Sequence, residues 1–190
     1  STPGPQREDI LAILNGVVGD YLSESGSPLA IQMALRFNGR SLRLERQSLQ
    51  ESLPGAGGKL LVLVHGSSMN DLQWSRLGHD HGAALARDLG YTPIYLRYNS
   101  GLHISTNGRA FADLLEQLVS AWPASIDELS IVGHSMGGLV SRSACLVAEA
   151  QGQLWRRKLR KLVSRYGCGS HPDHAALTAT RSGRRDLPDR

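Results

Sequence analysis

Residues 131–140 read Ile-Val-Gly-His-Ser-Met-Gly-Gly-Leu-Val, which sets Ser135 between Gly133 and Gly137 in a Gly-x-Ser-x-Gly spacing. With an apolar run before it and a helix-like run after it, this is the context of a serine mounted on a sharp strand-to-helix turn. Such a turn strains the serine backbone, and side chains at the flanking positions would collide, so the two glycines leave the room it needs. The turn also puts Ser135 at the amino end of the next helix, where free N–H groups and the positive dipole end stabilise a developing negative charge. The chemistry expected of this stretch is nucleophilic attack by Ser135 on a carbonyl carbon, with the Met136 N–H as one oxyanion donor.

Hydrolysis by serine needs a nucleophile, a base to take its proton, an acid to orient the base, and donors for the oxyanion. A second donor is expected after the apolar run at 60–64, where His65-Gly66 is followed by the backbone N–H of Ser67. The loop continues as Ser67-Ser68-Met69-Asn70-Asp71-Leu72-Gln73-Trp74 and should rim the same site. Trp74 and Met69 form an apolar wall for an acyl chain in one reading. In the other, Asn70 and Asp71 close turns and Trp74 packs on the next helix. His103 follows another strand end and reads as a loop residue at the pocket edge. Asp113 reads as a solvated helix position and Asp127 as a turn residue where a strand begins.

The elements that must hold these residues follow from periodicity. Residues 8–22 place Ile10, Leu11, Ile13, Leu14, Val17, Val18, Tyr21 and Leu22 at helical spacing, an amphipathic helix expected to pack on a sheet despite Gly16 and Gly19. Its polar face carries Glu8, Asp9 and Asp20 rather than lysines, which argues against a membrane-surface helix. Alternating runs at 31–37 and 41–45 flank Asn38-Gly39, a strong hairpin signal. Residues 59–64 form a continuous apolar run, expected of a strand buried on both faces of a parallel sheet. Helices over about 79–89, 108–121 and 138–150 alternate with strands over 92–97, 128–132 and 159–163. The pattern predicts an α/β fold, a mostly parallel sheet flanked by helices with an N-terminal β-hairpin. Binding then belongs at the carboxyl ends of the strands, where His65-Gly66 and Ser135 both fall.

Leu61-Val62-Leu63-Val64-His65-Gly66 followed by Gly133-His134-Ser135-Met136-Gly137-Gly138 resembles the α/β-hydrolase superfamily. Within it the chain is similar to lipase-like and GPI inositol-deacylase-like serine esterases, over about residues 30–155. The resemblance implies Ser135 as nucleophile, Met136 and Ser67 as oxyanion donors, and a small-molecule or lipid carboxylic ester as substrate. It implies neither a metal nor an organic cofactor, and assigns His65 and His134 to the structural part of the motifs rather than to the base. In this family the acid and the histidine follow the serine in the chain. Here the downstream candidates are Asp173 with His171 or His174, in a stretch rich in Gly, Pro, Ser and Arg whose composition does not favour the strands that would carry them. The expected fold is therefore an α/β-hydrolase with an incomplete C-terminal part. Two other readings stay open: a truncated or inactive hydrolase-like domain lacking the triad acid and histidine, and a non-catalytic binding module with a basic tail.

At 190 residues, 41% of them hydrophobic, the chain suits one globular core. The expected organisation is a helix and linker over 1–26, a hydrolase core over 27–163 and a basic, disordered tail over 164–190. Residues 155–190 hold ten Lys and Arg against three Asp, whereas residues 1–154 hold eleven against fourteen acidic residues. That tail has one aromatic past its first residue, Tyr166, and no nucleic-acid motif, so nucleic-acid binding is not expected, while peripheral membrane contact stays open. Cys145 and Cys168 make neither a disulfide framework nor a metal spacing. No apolar run reaches about 18 residues and the first nine lack a signal-peptide pattern, which leaves no transmembrane helix expected and the cytoplasm as default location.

Overall fold

Lys59–Val64, the unbroken apolar run, forms the central strand of a mixed sheet, because its side chains find apolar partners on both faces. Leu60, Val62 and Val64 enter the main core, and Leu61 and Leu63 enter a smaller cluster with Tyr95 on the other face. The computed structural model describes residues 4–76, 79–165 and 178–179. In chain order its elements are α1 (Pro5–Glu24), β1 (Ala34–Phe37), β2 (Arg40–Ser41), α2 (Arg46–Ser52), β3 (Lys59–Val64), a 3-10 turn (Asp71–Trp74), β4 (Ser75–Arg76), β5 (His79–Asp80), α3 (His81–Leu89), β6 (Thr92–Arg97), α4 (Ile104–Ala121), β7 (Glu128–His134), α5 (Met136–Gln151), α6 (Trp155–Lys158), β8 (Leu159–Arg165) and β9 (Thr178–Ala179).

The sheet order is β2-β1-β6-β3-β7-β8-β9. β6, β3, β7 and β8 are parallel, β1 runs antiparallel to β6, and β9 antiparallel to β8. This is the mostly parallel, helix-flanked sheet with an N-terminal hairpin that the alternation predicts. Asn38 and Gly39 both take positive φ, 47° and 72°, as a two-residue hairpin loop requires. The hairpin is shorter than the alternation implies, because after Ser41 the chain leaves the sheet and turns into α2. One more ladder-like bond, from the Leu42 N–H to the Leu35 carbonyl at 2.8 Å, ends the pairing.

α4 and α5 cover the main core with Phe111, Ala112, Leu115, Leu118, Val140, Ala144 and Ala148, all fully buried. Cys145 packs against the same core, and burial pushes its thiol up from the ordinary value. α1 corrects an expectation. It turns only part of its apolar set inward: Ile10, Ile13, Val17 and Tyr21 are each more than half exposed, Leu11, Leu14 and Val18 are half-buried, and Leu22 is buried together with Glu8, Ala12 and Asn15. Its partners are the loops that end β3 and β6, where polar groups need hydrogen bonds. Asn70 donates to Asp9 at 2.7 Å, Asn99 donates to the Gly19 carbonyl at 2.8 Å, and Asn15 accepts from the Ile31 N–H at 2.8 Å.

β8 runs through Ser164 and Arg165, and Thr178–Ala179 pair with it, so these residues of the expected tail belong to the sheet. No helix among the described residues is long and apolar enough to cross a membrane.

Candidate active site

The parallel pairing of β3 with β7 decides where the site lies. Val64 is in register with Gly133, so the segments that follow, His65-Gly66-Ser67 and His134-Ser135-Met136, leave the sheet side by side. β6 lies on the other side of β3, and this crevice outside the strand ends is where open α/β sheets place their ligands.

Ser135 sits between β7 and α5 with φ 51° and ψ −119°. A positive φ with that ψ lies outside the left-handed helical well, a conformation that costs a non-glycine residue about 1–3 kcal/mol and persists only where its surroundings over-determine it. The surroundings do so by close approach. A Cβ on Gly133 would stand 2.6 Å from the Gly138 nitrogen, and one on Gly137 would collide with the carbonyl oxygens of Val64 and His65. The glycines therefore bring the first turn of α5 directly onto the carboxyl end of β3. Ser135 is half-buried, and among the described residues its hydroxyl has no hydrogen-bond partner.

Met136 opens α5, so its N–H lies in the first turn and has no carbonyl within the helix to bond. Ser67 is exposed on the loop after β3, and among the described residues its N–H has no acceptor. Gly66 stands against the turn: a Cβ there would be 3.0 Å from His134 Nδ1 and 3.2 Å from Met69 Sδ. Ser135, Met136 and Ser67, named separately from two motifs, thus share one end of the sheet. His171, Asp173 and His174 lie outside the described residues.

His65, His134 and His103 divide by environment. His65 is almost completely buried, and this burial lowers its pKa to about 4 and holds the ring neutral. Its ring stacks on Tyr98 with centroids 4.4 Å apart, and the Tyr98 hydroxyl donates to the His65 carbonyl at 2.8 Å. So low a pKa makes His65 a weak proton acceptor at neutral pH, consistent with its place in the structural part of the motif. His134 is half-buried at the end of β7, and His103 is exposed just before α4.

The residues of the loop after β3 fall in different surroundings. Asn70 accepts a hydrogen bond from the Leu72 N–H at 3.0 Å, an Asx turn. Trp74 packs against the small cluster of Leu61, Leu63 and Tyr95 on a sheet face. Met69 is half-buried against Gly66. Asp113 is exposed and accepts from Gln153 at 3.0 Å, and Asp127 is exposed just before β7, as their spacing suggests. Sequence reasoning missed the contribution of α1 to this end of the molecule. The available signal was Gly16 and Gly19, which lie where the helix touches Ser68 and Asn99.

A mostly parallel, helix-flanked sheet and a strained serine between β7 and α5 are the features of an α/β-hydrolase fold. The chain belongs to the family described as "Putative serine esterase (DUF676)", whose model matches residues 56–164. Similar solved structures include the Bacillus licheniformis lipase BlEst2 in its propeptide form, at 21% identity over 58% of this chain and 22% of that one, with a TM-score of 0.44. The mature form of the same lipase aligns at 19% identity over 58% of this chain and 40% of that one, also with a TM-score of 0.44. The chain thus spans less than half the length of either. No curated protein matches it.

Proposed function

We propose that this domain hydrolyses carboxylic esters, lipid esters among them, through an acyl-enzyme on Ser135. The observation that carries the reading is the strained serine at the carboxyl end of β7, its hydroxyl without a hydrogen-bond partner among the described residues, immediately ahead of the Met136 N–H that opens α5. In the proposed reaction Ser135 Oγ attacks the ester carbonyl carbon and gives up its proton to a base. The carbonyl oxygen takes the negative charge between the N–H groups of Met136 and Ser67. Collapse expels the alcohol, which receives that proton, and water then releases the acid by the same route reversed.

The helix macrodipole adds to the two N–H donors, because the charge develops at the positive end of α5. Removing one such donor costs about 10²–10³ in kcat in comparable sites. His65, buried and held neutral, is set aside as base, and the base is assigned by chain order to His171 or His174, with Asp173 as the acid partner.

The test is turnover of a short-chain p-nitrophenyl ester, with mass spectrometry of the acyl adduct. Wild type is expected to show a burst and an adduct on the peptide containing Ser135. Ser135→Ala should lose the adduct and at least about 10³-fold in kcat, as expected when a serine nucleophile is removed. His171→Ala and His174→Ala, made separately, identify the base by which one follows Ser135→Ala. Turnover that survives Ser135→Ala refutes the proposal.

A further inference from the structure

We propose that His65 is a positioning residue for the oxyanion donor: its Nδ1–H holds the Gly66 carbonyl, and so keeps the Ser67 N–H turned out of the core toward the reacting oxygen. This rests on the reading of Ser67 as a donor given above, and it explains why a polar ring is buried where an apolar one would pack.

The argument begins at Gly66. Its contact with the His134 ring leaves no comfortable space for a side chain, so the close approach of the loop to the Ser135 turn calls for glycine. Glycine, however, lets the peptide that follows it rotate at little cost. A rotated Gly66–Ser67 peptide would present a carbonyl oxygen where the N–H is needed, repelling an oxyanion instead of binding it. Something must therefore hold that peptide.

His65 Nδ1 lies 2.9 Å from the Gly66 carbonyl oxygen. A carbonyl can only accept, so Nδ1 carries the hydrogen. No peptide bond among the described residues is cis, and in a trans peptide the C=O and the N–H point in opposite directions. With the Gly66 oxygen drawn toward the buried ring, the Ser67 N–H points away from it, on the exposed side of the loop. The ring cannot swing with the loop, because it is stacked on Tyr98, whose hydroxyl also clamps the His65 carbonyl.

The other ring nitrogen strengthens the case. Among the described residues Nε2 is buried with no hydrogen-bond partner. A side chain that served packing alone would carry this uncompensated polar atom at a cost that phenylalanine avoids. Burial also keeps the ring from taking a second proton near neutral pH, so the same tautomer persists through the range in which esterases are assayed.

Three substitutions and one spectrum test the assignment. His65→Phe keeps the stacking and removes the donor. His65→Asn places an amide N–H near the position of Nδ1, and His65→Gln carries it one bond further. With wild type active and Ser135→Ala inactive on a soluble p-nitrophenyl ester, His65→Phe should lower kcat by about 10²-fold with KM unchanged, the pattern of an interaction made in the transition state. His65→Asn should recover most of that loss and His65→Gln should not. A wild-type kcat in His65→Phe, or a raised KM at constant kcat, overturns the proposal. Nitrogen-15 NMR of wild type should show His65 protonated at Nδ1 and bare at Nε2, and the opposite tautomer overturns it whatever the activity. If wild type shows no turnover and no adduct, it is the esterase reading of Ser135 that fails. The Ser67 amide resonance then decides the positioning role, since it should shift in His65→Phe and return in His65→Asn, and an unmoved resonance overturns the proposal.

Discussion

Helix α1, which reads in the sequence as amphipathic, and helix α4 bury different kinds of face. α4 puts Phe111, Leu115 and Leu118 wholly inside, against the apolar side chains of the sheet. α1 keeps Ile10, Ile13, Val17 and Tyr21 in the open and turns Glu8, Ala12 and Asn15 inward. The difference lies in what each helix meets. A sheet face offers apolar side chains, and burying a large side chain there contributes about 1.5–3 kcal/mol. The ends of β3 and β6 offer loop backbone, asparagines and arginines, whose burial is favourable only when each polar group is bonded. Glu8 illustrates the second case: its carboxylate takes Arg97 at 3.1 Å and Arg36 at 3.4 Å, with Arg36 itself buried. Periodicity shows that a helix has two faces; its surroundings decide which one turns inward.

That contrast can be broken or sharpened by three measurements of urea unfolding, ordered from the largest expected change. Glu8→Ala removes the carboxylate that the buried Arg36 shares with Arg97, and removing one partner of a buried pair typically costs about 3–5 kcal/mol. The loss should appear as a lower midpoint, together with early proteolytic cleavage within α1 while the sheet remains protected. Leu115→Ala removes a fully buried side chain from α4 and should cost about 2–5 kcal/mol, with the slope unchanged. Val17→Ser, at the most exposed apolar position of α1, should stay within about 0.5 kcal/mol of wild type. A loss well above that figure for Val17→Ser would mean that the α1 ridge is covered in solution, and the contrast between the helices would fall.

Several elements were legible in the chain because their causes are local. The two-sided apolar run at 59–64 became the central strand, Asn38-Gly39 became the hairpin turn, and α5 begins directly after the serine. Others were not. α2 escaped because Arg46–Ser52 buries only Leu49 and shows no apolar stripe to detect. α4 begins at Ile104 rather than near Gly108, since its first turn leaves its one apolar residue, Ile104, exposed and buries the polar Asn107, so no apolar repeat marks it. Residues 79–80, read as helix, pair with β4 instead, and α3 starts at His81.

The candidate site divides in the same way. Ser135, Met136 and Ser67 could be named from two short motifs, because glycine spacing and a strand-to-helix turn are properties of neighbouring residues. That the two motifs share one crevice depends on β3 pairing with β7 across nearly seventy positions of chain, in a register no local pattern contains. The role of His65 depends on Tyr98, brought beneath it by β6, and on the contact between Gly66 and His134. The amino-acid sequence by itself determined where a serine would be strained and where backbone N–H groups would be free, since sterics within a few residues set both. Only the tertiary structure decided which peptide faces which, which side of α1 is buried, and how the Gly66 carbonyl is held, because each rests on partners far apart in the chain.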